Sequence, residues 1–373
     1  MPIYIRLLLL LGSITIHARA QNAGSILLNI GDPAPPLRLR GWVKGEPFEK
    51  FERGRVYVLE FWATWCRACN AAMPHLSELA REYEDKVSVL VIDVYEEKSS
   101  LEKIKTFVDS MGHRMDLQVA AEDSNFMATG WLGASGEQDD HIPRSFVVNA
   151  DGRLAWMGYP TQLDEVLPKI LNNTWDMKEA LAKRNENRRL AALDDSLSFE
   201  LMVYRGNSSK PGDRGKPESA LLLIDEIIKK EPKLKYAPKI SSHTFAALLK
   251  TNPHKAYEYG KMAIVTPTYE EPNFHLIYGA IEFDSGRSDL PAKIYQLGAE
   301  AYQAEIDHRP YPDMADIAAL YHKMAAFYWR ANDRPKAIDA EQKAIDTLKS
   351  GSGFSKKDLA VFESQLLKYK NCD

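Results

Sequence analysis

Cys66 and Cys69 stand three residues apart and are the side chains in this sequence best suited to chemistry. A thiolate is a nucleophile, and a second thiol within reach can resolve a mixed disulfide formed on the first. The β-rich run Val56-Tyr57-Val58-Leu59-Glu60-Phe61-Trp62 leads through Ala63-Thr64-Trp65 into Cys66, and a helical stretch from Arg67 to about Tyr83 follows. The pair therefore falls where a buried strand meets the start of a helix. Free amides and the helix dipole stabilise an anion there, which lowers the pKa of the first thiol. Arg67 adds a positive charge beside it, favouring the thiolate further. Cys66 is thus the expected nucleophile, and Cys69, one turn further along the same face, the resolving thiol. A tetrahedral metal site needs more ligands than this. The sequence holds no second close cysteine pair and no His-x-x-x-His cluster, so neither a metal nor another cofactor is expected.

The chain has 373 residues, a formal net charge of −4 and three cysteines. That length allows two or three domains. Near-zero charge argues against nucleic acid as a partner, because such binders show a basic excess or stripe. Three cysteines exclude a disulfide-stapled scaffold. Arg6 precedes an apolar run from Leu7 to Leu11, and Ala18-Arg19-Ala20 follows. This reads as a signal peptide over residues 1–20 cleaved before Gln21, since a membrane span needs about 20 apolar residues. The mature chain is expected to be exported, soluble and periplasmic, outside the reducing cytosol.

From Gln21 to about Asn172 strands and helices alternate. Val56–Trp62 and Val87–Val94 are too apolar for surface strands and predict central strands covered on both faces of a partly parallel sheet. With the helix at 67–83, whose Met73, Leu76, Leu79 and Ala80 share one face, they form a β-α-β unit. A helix over Leu101–Met111, a strand over Met115–Ala120 and a closing helix over Asp164–Leu171 are expected as well. Ser145–Asn149 and Leu154–Gly158 form a hairpin across Ala150-Asp151-Gly152-Arg153, signalled by the Asp-Gly pair.

Phe61-Trp62-Ala63-x-Trp65-Cys66-x-x-Cys69 with Pro74 resembles the active-site segment of the thioredoxin superfamily. The opening Ile30-Gly31-Asp32-Pro33-Ala34-Pro35 and the exported context resemble its TlpA/ResA-like branch of thiol-disulfide oxidoreductases. The likeness covers roughly Ile30 to Leu171. It implies an α/β thioredoxin-like fold, a central mixed sheet flanked by helices, in which the first cysteine attacks and the second resolves. It also implies a cis-proline at Ile142-Pro143 facing the cysteine pair, with the Ile142 backbone free to pair with an extended substrate. Glu60 falls where such proteins bury an acid beneath the second cysteine; burial raises its pKa and lets it accept the Cys69 proton. Trp65 is expected to form apolar docking surface. The intervening Arg67-Ala68 is neither Gly-Pro nor Pro-His, so the redox direction stays open at this point. Peroxiredoxin-like relatives share the Gly31–Pro35 opening but set their cysteine after a different loop.

From Asp176 onward nearly everything reads as helix. Ala220, Ala256, Ala292 and Ala337 recur at spacings near the ~34-residue period of tetratricopeptide (TPR) arrays. Tyr321, Met324, Ala325 and Tyr328 precede Ala337, and Leu276, Ala280 and Phe283 precede Ala292, in the pattern of close-packed helix pairs. Arg205–Pro217 reads as a flexible loop. The expected organisation is a signal peptide at 1–20, a thioredoxin-like redoxin domain at 21–172 and an all-α, TPR-like helical domain at 173–373.

The function expected is exported thiol-disulfide oxidoreduction, most naturally reduction of a disulfide-containing protein substrate by Cys66 and Cys69. A membrane-bound thiol donor would regenerate the pair, and the helical domain would dock a protein partner. The alternatives are the oxidising or isomerising direction, and a redox-sensing, partner-binding scaffold. The histidines, His75, His141 and His322 among them, read as packing or surface residues, with His141 placed to face the disulfide. Cys372 reads as an incidental thiol, and Asn172-Asn173-Thr174 and Asn207-Ser208-Ser209 as glycosylation acceptors irrelevant to bacterial export.

Overall fold

The structure, a computed structural model, describes residues 27–96, 99–136, 141–206, 215–269, 272–285, 289–309, 313–351 and 355–371. The expected signal peptide, Cys372, the Asn207-Ser208-Ser209 acceptor and most of the expected 205–217 loop lie outside these residues.

Six strands form one mixed sheet: β1 (Leu39–Lys44), β2 (Val56–Trp62), β3 (Val87–Asp93), β4 (Gln118–Glu122), β5 (Arg144–Val148) and β6 (Leu154–Gly158), in the order β1-β4-β3-β2-β5-β6. β2, β3 and β4 run parallel, whereas β5 pairs antiparallel with β2 and β6, and β1 antiparallel with β4. β2 and β3 are central, as their unbroken apolar runs require, and their alternate side chains feed two cores. Val56, Val58, Val87, Val89 and Val91 pack with helices α1 (Arg67–Glu82), α2 (Leu101–Met111) and α3 (Leu163–Leu171). Tyr57, Leu59, Leu90 and Ile92 pack on the opposite side with Leu28, Ile30, Met127 and Trp131. Each large apolar chain so buried stabilises the fold by about 1.5–3 kcal/mol. This is the expected thioredoxin-like architecture.

Two elements differ from expectation. The strand expected at 115–120 begins at Gln118, because Gly112, at φ +57°, ends α2 and a 3-10 turn occupies Gly112–Met115. β1 has no counterpart among the expected strands. Its polar Arg40 and Lys44 and its Gly41 give no period-two signal, and register shifts interrupt its pairing with β4.

The second half is all helical: α4 (Met177–Leu201), α5 (Pro217–Lys230), α6 (Pro238–Thr251), α7 (Pro253–Ala263), α8 (Phe274–Ser285), α9 (Ala292–His308), α10 (Met314–Arg330), α11 (Arg334–Ser350) and α12 (Lys356–Asn371). Ala220, Ala256, Ala325 and Ala337 are buried, as helix pairs in close contact require. Ala292 and Phe283 are exposed instead. Ala292 is the first residue of α9, turned outward after Pro291, and α8 buries the stripe Phe274, Ile277 and Ile281, which leaves Phe283 out of phase. At Gly298 an added Cβ would lie 2.4 Å from the Phe327 ring, so α9 and α10 approach each other as only glycine allows.

α4 belongs to both halves. Its Met177, Ala180 and Leu181 pack on the second face of the sheet. Arg184 and Arg188 donate to the Ser135 carbonyl, and Arg188 also to Asn29 Oδ1 at 2.6 Å. Two residues later Leu190 enters the α5–α6 core with Ile224, Ile227 and Ile240. The buried Asp194 accepts from the amides of Lys239 and Ile240 at 2.8 and 2.9 Å, capping α6, and from the Tyr269 hydroxyl at 2.6 Å.

Candidate active site

β2 ends at Trp62 and the chain turns through Ala63–Trp65 into Cys66, the N-cap of α1. The turn is fixed by Cys66 N donating to the Ala63 carbonyl at 3.0 Å and by Asn70 Nδ2 donating to the Thr64 carbonyl at 3.0 Å. Thr64 donates through both its amide and its hydroxyl to Glu96 Oε1. The backbone entering the helix is therefore held before either cysteine acts.

Cys66 and Cys69 are joined in a disulfide, with Cα atoms 5.3 Å apart. Cys66 Sγ accepts from the Cys69 amide at 3.2 Å, so the sulfur takes the place that a capping oxygen takes at other helix starts. Cys69 is fully buried and Cys66 is 7% exposed. An incoming group therefore meets Cys66 first. Trp65 beside it is 62% exposed.

The Ile142-Pro143 peptide is cis and precedes β5. The Ile142 carbonyl oxygen lies 3.8 Å from Cys66 Sγ, which brings this segment and the disulfide into one site. The exposed His141 precedes it. His75 lies 2.9 Å from Asp164, and His322 pairs with Glu341 and stacks on Phe362, contacts that hold helices together.

Glu60 is fully buried in β2, on the face it shares with Val58 and Trp62, where α1 and Cys69 pack. Its register partner on β5 is Ser145, whose hydroxyl donates to Glu60 Oε2, while Oε1 has no partner. Burial pushes the Glu60 carboxyl up to about 8; the Ser145 hydrogen bond and the Arg144 charge only moderate the rise. A group tuned to that range can take up a proton near neutral pH and release it just above. Asp93, opposite Trp62 at the end of β3, is also pushed up to about 8, by burial first and then by the charge of Glu96, with Arg40 opposing.

Ser145 and Asp93 were not singled out in the sequence, although each is a polar residue inside an apolar strand, which is the available signal. Arg67 reaches across to α10, where its Nη1 lies 3.0 Å from Asp316 Oδ1. Nothing in the sequence marks that pairing.

Residues 30–157 match the AhpC/TSA family. Protein FixW of Rhizobium leguminosarum is 31% identical over 165 residues, covering 42% of this chain and 74% of FixW. The thiol-disulfide oxidoreductase ResA of Bacillus thuringiensis (strain Al Hakam) is 29% identical over 149 residues, 38% of this chain and 79% of ResA. Among solved structures, a thiol-disulfide isomerase from Corynebacterium glutamicum is 20% identical with a TM-score of 0.32, over 37% of this chain and 96% of that one.

Proposed function

Because the chain belongs to the AhpC/TSA thioredoxin-like family of thiol-disulfide oxidoreductases, we propose that it reduces protein disulfides, acting after export to the periplasm. The observation that carries this reading is the pairing of a marginally exposed Cys66 at a helix N-cap with a fully buried Cys69 bonded to it. In the reduced enzyme the Cys66 thiolate attacks one sulfur of a substrate disulfide, forming a mixed disulfide and expelling the other substrate sulfur as thiolate. Cys69, losing its proton, then attacks Cys66 Sγ. The second substrate thiolate leaves and the Cys66–Cys69 disulfide closes, so two electrons have passed to the substrate. A membrane-bound dithiol donor returns them.

Glu60 is the acceptor for the Cys69 proton in this scheme, supported by its place on the α1 face of the sheet and its raised pKa. Trp65, Ile142 and Pro143 form the substrate-binding surface, supported by Trp65 exposure and by the nearness of the Ile142 carbonyl to Cys66. Residues 21–172 carry the chemistry, and residues 173–373, as a TPR-like domain, dock a protein partner. Among the described residues no helix is long and apolar enough to cross a membrane.

Reduction of insulin by the full chain with a dithiol donor tests the reading. Wild type should turn over and Cys66→Ser should not; equal rates in both would refute it. The Cys66/Cys69 potential in glutathione buffers settles direction: a value near the ~−270 mV of thioredoxin supports a reductase, one near the ~−120 mV of DsbA an oxidase.

A further inference from the structure

Arg67, the first residue between the two cysteines, is held by the helical domain. Its partner Asp316 stands 249 residues away in sequence, in the first turn of α10. The backbone on both sides is fixed. Cys66 caps α1 immediately before Arg67, and Asp313 caps α10 by accepting from the amides of Ala315 and Asp316 at 2.8 and 3.2 Å.

A guanidinium next to a nucleophilic sulfur stabilises the thiolate, and a carboxylate bound to that guanidinium offsets the effect. We propose that Asp316 is a positioning residue of the redox site: by holding Arg67 it tempers the positive charge beside Cys66 and sets how readily the thiolate forms. The inference rests on Cys66 being the nucleophile, as proposed above. The other charged or titratable groups around this end of α1 are Glu60 and Arg144 on β2 and β5, His141 ahead of Ile142, Glu96 bonded to Thr64, and Asp313 beside Asp316. All of these come from elements other than α1, and of them Asp316 is the one that bonds Arg67, the first of the two residues between the cysteines.

The direction follows from the charge balance. Removing the carboxylate leaves Arg67 uncompensated, so the thiolate gains and the dithiol form is favoured over the disulfide. A couple whose dithiol is so favoured has a more oxidising disulfide and a weaker reducing dithiol. Asp316 therefore biases the pair toward reducing its substrates, and the helical domain becomes part of the redox centre. Arg67 and Asp316 are 65% and 40% exposed, so the effect is a small factor, not decades.

The test uses the reduced full chain as wild type, Asp316→Asn, Asp316→Glu, Arg67→Ala and Arg67→Ala/Asp316→Asn. Iodoacetamide alkylation is followed from about pH 5 to 8, with the modified cysteine identified by mass spectrometry. Asp316→Asn should be alkylated at Cys66 about two- to fivefold faster below the midpoint of the wild-type profile, the size of an exposed ion pair. Its midpoint should move to lower pH, and its equilibrium with glutathione should shift toward dithiol by the same factor. Asp316→Glu should keep the wild-type profile. In the Arg67→Ala background the change at 316 should have less than half its effect. A Cys66 profile and glutathione equilibrium unchanged in Asp316→Asn, even with lowered thermal stability, would overturn this inference alone and leave Asp316 a tether between domains. Alkylation falling on Cys69 instead of Cys66 in every variant would sink the nucleophile assignment and this inference with it.

Discussion

Glu60 and Ser145 face each other across adjacent antiparallel strands, and the serine hydroxyl donates to the carboxylate beneath the active-site helix. This single bond leaves the other oxygen, Oε1, buried and without a partner. The folded protein therefore holds the Glu60 proton more tightly than the unfolded chain does, with a pKa near 8 against 4.5. Between these values the native state binds more protons, so the Glu60 contribution to stability falls as pH rises from about 4.5 to 8 and then levels. Glu60→Gln should flatten this slope and raise the Tm above pH 8 by about 4 °C or more. The same variant should slow resolution of the mixed disulfide about 10²-fold and remove its pH dependence near 8. Stopped-flow resolution rates across pH check the second effect, and unchanged kinetics would remove Glu60 from the proton path.

Cys69→Ser should accumulate a covalent complex with substrate through Cys66, visible on non-reducing gels and dispersed by dithiothreitol. Cys66→Ser should form none. The asymmetry follows from burial, because Cys69 has no exposed surface from which to meet a protein disulfide.

Trp65→Ala should lower kcat/KM for a folded protein disulfide about three- to tenfold, the loss of a modest interface anchor. Reduction of a small aromatic disulfide should change by less than about twofold, since that probe needs the thiolate and not the docking surface. Equal losses for both substrates would place Trp65 in the packing around Cys66.

Asp194→Ala should destabilise the helical half by about 2–4 kcal/mol, because two amides at the start of α6 and the Tyr269 hydroxyl lose their acceptor. Urea unfolding monitored by circular dichroism measures it. Asp194→Asn keeps one acceptor oxygen and should lose less.

The chemistry could be read early because it is local. Strand, turn, Cys66 and α1 lie within one continuous segment, and its apolar runs and cysteine spacing fix their relation. The cover on both faces of β2 and β3 was legible for the same reason. β1 was not, because an edge strand need bury little on its outer side and carries no alternation to detect. Burial of the small residues was legible at α10 and α11, where Ala325 and Ala337 are both buried. It slipped at α8 and α9, where the buried stripe follows Ile277 and Ile281, one position away from the matched residues. Asp316 was invisible for a different reason. A single ion pair between exposed side chains on distant helices imposes no pattern on either sequence neighbourhood.

The 25-residue helix α4 passes from one core to the other with no slack between its last contact to Ser135 and its first burial at Leu190. It works as a keyed shaft between the two domains. Each residue inserted between Arg188 and Leu190 would turn everything beyond it by about 100° and advance it by about 1.5 Å. Orientation of the helical domain over the cysteines is thus encoded in the residue count of one helix, and a change in that count would swing α10, and with it Asp316, away from Arg67.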